Sequence, residues 1–540
     1  MNLNALNEFF CRLWRYAMKP NAPAWLFPLT AIWLSFMAWL RPLHIPDEGR
    51  YVGVAWDMVR FDSTWTPLLN GLPYFHKPPL FYWLTEYSFL LFGAHEWAAR
   101  LPSLVVAFLT AICLYFFVRR HRGVEVATVT LLALVTMPYF YGAAQYANLD
   151  MLVGGMITLT ILAGAEAVSR QKAGQSYKGF AVAMGALAAL AILSKGLIGI
   201  ALPGGVLFFW LLVTRRWQGF AVLLAPGVWL AFLLVGLPWF IAMEWQYSGF
   251  LHYFFVYQHF ERFLTSGFNQ QQAWWFFIPV LLGFTLPWSL ALLEYLRPSV
   301  RAAMRFVGYG QWFALLLIWV VLITVFFSIP ASKLIGYTVP VIPPLAILMA
   351  EALVAGLNGL RRDKVFKQTL TFFIAGAITC VIALTIFLFV QKDSTKPFAE
   401  LIQSEQTSQD GFIFIDIYPF DSAFYTGSQA PAWVVTGWKT LAKGDNWRHE
   451  LADAGDFKPE LGADILVDKD DLIPRMCQAL NRTYWVRIQD YDVARWPFIA
   501  KAVPKYEARD GGRWFKVNVD ETFRGEWCPK LSHAGKKVLG

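Results

Sequence analysis

Charge is scarce in this sequence. Only 15% of its 540 residues are Asp, Glu, Lys or Arg, against 57% hydrophobic ones, a balance that excludes an ordinary soluble enzyme and makes a membrane protein the default. Cysteine is scarcer still. The five residues lack metal-ligand spacing: Cys11, Cys113 and Cys380 lie in or beside apolar runs, and Cys477 and Cys528 lie in the polar C-terminal part, where an oxidising compartment would let them pair. No phosphate-binding Gly-Lys loop, internal repeat or low-complexity tract occurs, so P-loop nucleotide chemistry and repeat architectures are not indicated. The formal charge of +9 does not point to nucleic acid either, because the basic residues fall in short clusters between apolar runs.

What is present is a long series of such runs. Candidate spans lie at 24–40, 101–118, 126–141, 149–168, 180–193, 197–213, 220–242, 274–293, 312–327, 336–353 and 370–390, about eleven on the length criterion. Arg12, Arg15 and Lys19 before the first run resemble a signal sequence, but Arg41-Pro-Leu-His44 offers no small-residue cleavage site, so an uncleaved span is expected. Leu80–Phe92, interrupted by Glu86, has the length of an interfacial or re-entrant segment. Aromatic residues at 17%, with 25 Trp, fit interfacial belts as well as packed cores.

Alternate connections are basic: Arg119-Arg120-His121-Arg122, then Arg170, Lys172 and Lys178, then Arg215-Arg216, then Arg297, Arg301 and Arg305, then Arg361-Arg362, Lys364 and Lys367. By the positive-inside rule these face the cytoplasm, and an odd number of spans puts the loop 41–100 and everything after 391 on the other side. The expected organisation is a transmembrane domain over 1–391, with 41–100 as its large outer loop, followed by a small α/β domain over 392–540. Phe412–Ile415 and Tyr484–Ile488 read as strands, and Asp510-Gly511-Gly512 before Trp514–Val517 reads as a hairpin turn.

That topology gathers unusual residues on one face. His44-Ile-Pro-Asp47-Glu48-Gly49-Arg50-Tyr51 puts two carboxylates and an arginine where the chain leaves the first run, an expensive place for charge. Pro46 suits a first helical turn and the acids would meet the positive end of its dipole, so a plain charged helix start competes with a site. Lys77 in His76-Lys77-Pro78-Pro79 would cap a loop or bind phosphate as a point charge. His259 and Arg262, three apart, would share a helical face towards an anion or lie as an amphipathic segment on the membrane. Lys195 and Lys333 sit at run ends, where snorkelling competes with function, and Asp150 would cap a helix or serve the site.

Taken in order, these motifs resemble the GT-C glycosyltransferases that use lipid-linked phosphosugars. They are Asp-Glu-x-Arg-Tyr after the first span, x-Lys-Pro some thirty residues on, Leu149-Asp150, Ser194-Lys195-Gly196, His252-Tyr-Phe-Phe with His259-x-x-Arg262-Phe, and Lys333-Leu-x-x-Tyr337. The nearest group is the bacterial aminoarabinose transferase branch of the dolichyl-phosphate-mannose protein mannosyltransferase superfamily. The resemblance covers roughly 24–355. It implies a mainly α-helical GT-C fold in the bacterial inner membrane, an active site facing the periplasm, a polyprenyl-phosphosugar donor and a glycolipid, glycan or protein acceptor. Nucleic acid is not a partner. The family's catalytic acid matches Asp47, with Glu48 beside it, and its lipid-phosphate ligands match Arg50, Lys77, Arg262 and Tyr337, with Lys333 as an addition. His76 stands where the family has Glu, and Phe-Glu stands between His259 and Arg262 where it has Ile-Gln, so the named substrate and any divalent metal do not transfer with the fold. No cofactor is required. A lipid-linked substrate flippase or an outer-leaflet glycan ligase are the alternatives, against which the first-loop acids weigh.

Overall fold

The apolar runs fold as helices, the form that lets a segment in lipid satisfy its own backbone groups. The computed structural model of the protein describes residues 19, 22–261, 271–298, 300–301, 310–357, 362–390, 394–440, 446–479 and 481–528. Its contacts divide the chain into two units: residues up to Leu40 with Arg100–Leu388, and Arg41–Ala99 with the chain from Phe389 onward.

Among the described residues, seven helices are long and apolar enough to cross a membrane: Glu96–Arg122, Leu149–Lys172, Lys178–Lys195, Gly219–Gln246, Gly310–Ser328, Ile335–Ala355 and Val365–Val390. The number is nine if two bent pairs each count once, Val124–Thr136 with Pro138–Ala144 (65°) and Phe277–Phe284 with Trp288–Leu296 (108°). The first bend has a local cause. Met137 precedes a proline, which clashes with a helical predecessor, and it takes ψ 122°. The runs at 24–40 and 197–213 give shorter apolar helices, Pro23–Ser35 and Ile198–Val213. The former ends early because Phe36 turns extended (ψ 126°) and Met37 adopts φ 75°.

Leu149–Lys172 lies at the centre of the first unit, its apolar window wholly buried. Small residues let its neighbours pack closely. A Cβ on Gly185 would stand 2.1 Å from the Val228 carbonyl oxygen, so Lys178–Lys195 and Pro226–Gln246 approach backbone to backbone there.

In the second unit residues 41–99 begin with the helix Asp47–Arg60 and a two-stranded hairpin, β1 Leu68–Leu69 and β2 Leu72–Pro73. Asn70 and Gly71 turn it with φ 53° and 81°, the mirror-image turn that matches strand twist. The C-terminal part forms a six-stranded sheet from β3 Gly411–Ile415, β4 Trp433–Thr436, β5 Leu466–Asp468, β6 Arg482–Gln489, β7 Tyr506–Glu507 and β8 Gly512–Val519, in the order β5-β4-β3-β6-β8-β7. The strands from β5 to β6 are parallel, and β8 and β7 are antiparallel. Ile413, Ile415, Val486, Ile488 and Phe515 supply its core. Cys477 and Cys528 are joined by a disulfide across a Cα–Cα distance of 5.8 Å.

One expectation about organisation is corrected. Residues 41–99 belong with the C-terminal sheet, not with the transmembrane helices. The reason is a run of specific contacts. A Cβ on Gly53 would lie 2.6 Å from the Phe420 carbonyl oxygen, so the helix Asp47–Arg60 sits directly on the segment leaving β3. Trp56 donates to the Ala423 carbonyl at 3.0 Å and Arg60 to that of Ser428 at 2.7 Å. The Asn70 amide accepts from the Ala432 N–H at 2.9 Å and donates to its carbonyl at 2.8 Å, a strand-like pairing made by a side chain. The helix therefore lies at the carboxyl ends of the parallel strands, the edge at which doubly wound sheets commonly hold ligands.

Candidate active site

The carboxylate of Asp47 is at the first position of its helix, with Pro46 at the N-cap, so the helix start expected from the sequence forms. It remains about half exposed (47%) and accepts a hydrogen bond from Arg50 Nη2 at 2.7 Å. The other terminal nitrogen of Arg50, Nη1, donates to Glu450 Oε1, and Tyr74 Oη donates to Glu450 Oε2 at 2.9 Å. Glu450 is nearly inaccessible (5%) and comes from the helix Trp447–Asp456 of the C-terminal part. Burial alone would raise its carboxyl, but the charges of Arg50 and His76 and the Tyr74 hydrogen bond outweigh that and leave it below the ordinary range. Burial would likewise lower Arg50, yet Glu450 first, with Tyr51, Tyr74 and Asp47, holds it well above its usual value. Both groups are ionised at neutral pH.

Around this pair lie polar atoms with work left to do. Among the described residues, Arg50 Nε and Tyr82 Oη are buried without hydrogen-bond partners. Arg50 also lies over the Tyr51 ring, 5.3 Å from its centroid. His76 Nε2 meets Asp453 Oδ2 at 3.2 Å and its ring stacks on Tyr74 at 4.9 Å. Lys77 follows, half-buried, on the loop before the helix Leu80–Phe92.

Glu48 does not share this role. Its carboxylate is fully buried, forms an ion pair with Arg41 (Nη2 to Oε1 3.0 Å) and accepts from the His44 N–H at 2.9 Å. A carboxylate held on those sides fixes the turn that presents Asp47, so the buried Glu48 and the half-exposed Asp47, expected together from the sequence, stand in different environments.

A second cluster lies within the first unit. Asn148, not Asp150, caps the helix Leu149–Lys172, accepting from the Asp150 N–H at 3.0 Å. The Asp150 carboxylate is instead ion-paired with Lys195, whose ammonium lies 4.9 Å from the Tyr337 ring centroid. Gly336 makes room for the pair: a Cβ there would come within 1.9 Å of Asp150 Oδ2. Tyr139 Oη donates to the Ile335 carbonyl and lies 2.8 Å from the Thr338 hydroxyl, fixing the segment that carries Tyr337. Lys195 therefore does not snorkel. Lys333 is buried and donates to the carbonyls of Gln272 (3.0 Å) and Pro330, so its ammonium holds the link between two helices. Desolvation lowers its pKa, and the ammonium expected to meet an anion here donates to backbone carbonyls. Arg262 lies outside the described residues. His259 falls on the π-helical stretch His252–Glu261, and its side chain also lies outside them.

Sequence reasoning missed Glu450, Asp453 and Tyr74. No local pattern marks Glu450, which is 400 positions from its arginine. The one local signal near Tyr74 is Asn70-Gly71, the turn of the hairpin that it directly follows. Among the described residues, no group of three or more His, Cys, Asp or Glu side chains is disposed to hold a metal ion.

Residues 76–245 match the family model described as dolichyl-phosphate-mannose-protein mannosyltransferase. The chain is 30% identical over 353 residues to an undecaprenyl phosphate-α-4-amino-4-deoxy-L-arabinose arabinosyl transferase of Pseudomonas fluorescens, covering 62% of this chain and 63% of that one. It is 29% identical over 375 residues to the Aeromonas hydrophila enzyme of the same description, covering 68% and 66%. The first of these matches thus spans about three-fifths of the relative's length. Among solved structures, ArnT from Cupriavidus metallidurans bound to undecaprenyl phosphate superposes with a TM-score of 0.77 at 25% identity, over 94% of this chain and 99% of that one. The apo form of that protein gives 0.75.

Proposed function

We propose that this chain, a GT-C membrane protein of the aminoarabinose-transferase type, is an inverting glycosyltransferase of the bacterial inner membrane. It moves one sugar from a polyprenyl phosphate carrier to an acceptor on the periplasmic side. Its relatives' description makes 4-amino-4-deoxy-L-arabinose on undecaprenyl phosphate the leading donor, and among the acceptors that the family resemblance implies we take a lipid A phosphate first. The observation that carries this reading is the pairing of Asp47 with Arg50 at 2.7 Å, an accessible carboxylate beside a cation. The Cys477–Cys528 bridge supports an oxidising compartment for the second unit.

The chemistry follows from the leaving group. A phosphodiester needs no protonation near neutral pH, so cations replace the general acid that a glycosidase requires. The acceptor oxygen attacks the anomeric carbon, the bond from that carbon to the carrier's phosphate oxygen breaks, and its electron pair leaves on the phosphate. Arg50 and Lys77 stabilise the growing charge through charge-assisted hydrogen bonds. Towards a hydroxyl acceptor Asp47 serves as general base; towards a phosphate acceptor, already ionised, it orients the nucleophile or the amino sugar. Lys195, ion-paired with Asp150, lies against the Tyr337 ring, and Glu48 and Arg41 hold the Asp47 turn.

Mass spectrometry of lipid A from cells with and without the chain tests the acceptor. One amino-pentose on a phosphate, present only with the chain, is expected. An unchanged lipid A profile with altered glycoproteins would reject lipid A.

A further inference from the structure

Arg50 has three faces to offer and only two are taken. Nη2 goes to Asp47, which is about half exposed, Nη1 goes to Glu450, which is 5% exposed, and Nε has no partner among the described residues. A cation meant only to capture phosphate would be expected without a dedicated buried anion. Here a residue of the C-terminal helix Trp447–Asp456 supplies one, and the arrangement is built rather than incidental. Asn446 caps that helix by accepting from the Arg448 and His449 N–H groups, which sets its first turn, and Tyr74 hydrogen-bonds the second Glu450 oxygen at 2.9 Å. Of the two carboxylates on Arg50, Glu450 is the more strongly coupled because it is shielded from water.

We infer that Glu450 is a built-in counter-anion that weakens the hold of Arg50 on the carrier phosphate, so that the C-terminal domain sets how readily the spent carrier leaves. The inference rests on the reading of Arg50 as a phosphate ligand. Its logic is electrostatic. Cleavage of the sugar turns a singly charged phosphodiester into a phosphomonoester carrying close to two charges at neutral pH. An arginine free of any counter-charge binds that product more tightly than the substrate, and release then limits turnover. Glu450 offsets part of the attraction in both states, and the open Nε–H and the Tyr82 hydroxyl remain as donors to a phosphate or sugar oxygen. Glu450 touches no reacting atom in this scheme and is a positioning residue.

The test uses the full chain in nanodiscs, with undecaprenyl phosphate itself as the probe. Glu450→Gln keeps the size of the side chain and its acceptor for Tyr74 while removing the charge. It is expected to tighten undecaprenyl phosphate binding roughly tenfold at low salt, and to lower kcat and KM for the lipid-linked donor together. Glu450→Asp, which keeps the charge, and Tyr74→Phe, which removes only a neutral hydrogen bond, are expected to bind within about twofold of the unsubstituted chain. Unchanged or weaker binding by Glu450→Gln, with Glu450→Asp behaving likewise, would overturn the inference and reduce Glu450 to scaffolding. The parent reading fails separately: tightening in Glu450→Gln with no sugar transfer by the unsubstituted chain would reject the glycosyltransferase and keep the counter-anion.

Discussion

Arg41 and Glu48 close a buried ion pair at the root of the helix Asp47–Arg60, one residue away from the carboxylate that faces the site. Two adjacent acids thus have opposite environments, one about half exposed and one sealed. Glu48→Gln removes one charge of a buried ion pair, and breaking such a pair costs about 3–5 kcal/mol. Thermal melts of the purified chain should show this as a clear fall in Tm, with turnover per folded molecule reduced far less than in Asp47→Asn. Equal loss of turnover at unchanged Tm would return Glu48 to the catalytic set.

Gly336 stands where Asp150 needs room, so Gly336→Ala should push the carboxylate away from Lys195 and cost about 1–3 kcal/mol through overpacking. Activity should drop with it, since Tyr337 loses the cation over its ring. Gly283→Ala, where an added Cβ meets nothing within 4 Å, is the matched control and should leave both stability and activity near the parent's. Similar behaviour of the two variants would remove the steric argument.

The Cys477–Cys528 bridge closes a loop of 51 residues, and chain-entropy arguments assign such a crosslink about 4 kcal/mol. Reduction, or Cys477→Ser with Cys528→Ser, should lower the melting temperature of the C-terminal sheet and increase its proteolysis, while the apolar helices stay protected. A bridge that never forms in protein isolated from the periplasmic face would contradict the compartment proposed for this unit.

Acid should release Glu450. Its folded pKa is depressed, so its stabilising contribution is fully present above the ordinary carboxylate range near 4.3 and is lost as pH falls through its lower folded value. Asp57 and Asp421, which burial pushes up, titrate with the opposite sign, so the whole-chain profile mixes the two. The difference in stability between the parent and Glu450→Gln isolates the group. It should be flat above about pH 5 and shrink below about 4.3, and a difference independent of pH down to 3 would contradict the ionised pair.

The legible parts of this molecule were those written locally. Apolar runs announced helices, the alternation in Phe412–Ile415 and Tyr484–Ile488 announced two central strands, and Pro46 followed by two acids announced a helix start. Partnership was less legible than placement. Lys195 at the end of an apolar run looks the same whether it reaches for headgroups or for Asp150, 45 residues away, because hydrophobic periodicity reports burial and not partners. Lys333 in Lys-Leu-x-x-Tyr reads as an anion ligand, and the backbone carbonyls it donates to carry no sequence signal. The grouping of 41–99 with the C-terminal sheet was also hidden, since it rests on contacts such as Asn70 with Ala432 that span hundreds of residues and carry no motif.

Asp47→Asn in the purified chain, supplied with undecaprenyl phosphate-linked aminoarabinose and lipid A, tests the central claim most directly. The parent should transfer one sugar for each undecaprenyl phosphate released. The variant should still bind the donor but turn over about 10²–10⁴-fold more slowly. Near-parental turnover in Asp47→Asn, or consumption of donor by neither protein, would contradict it.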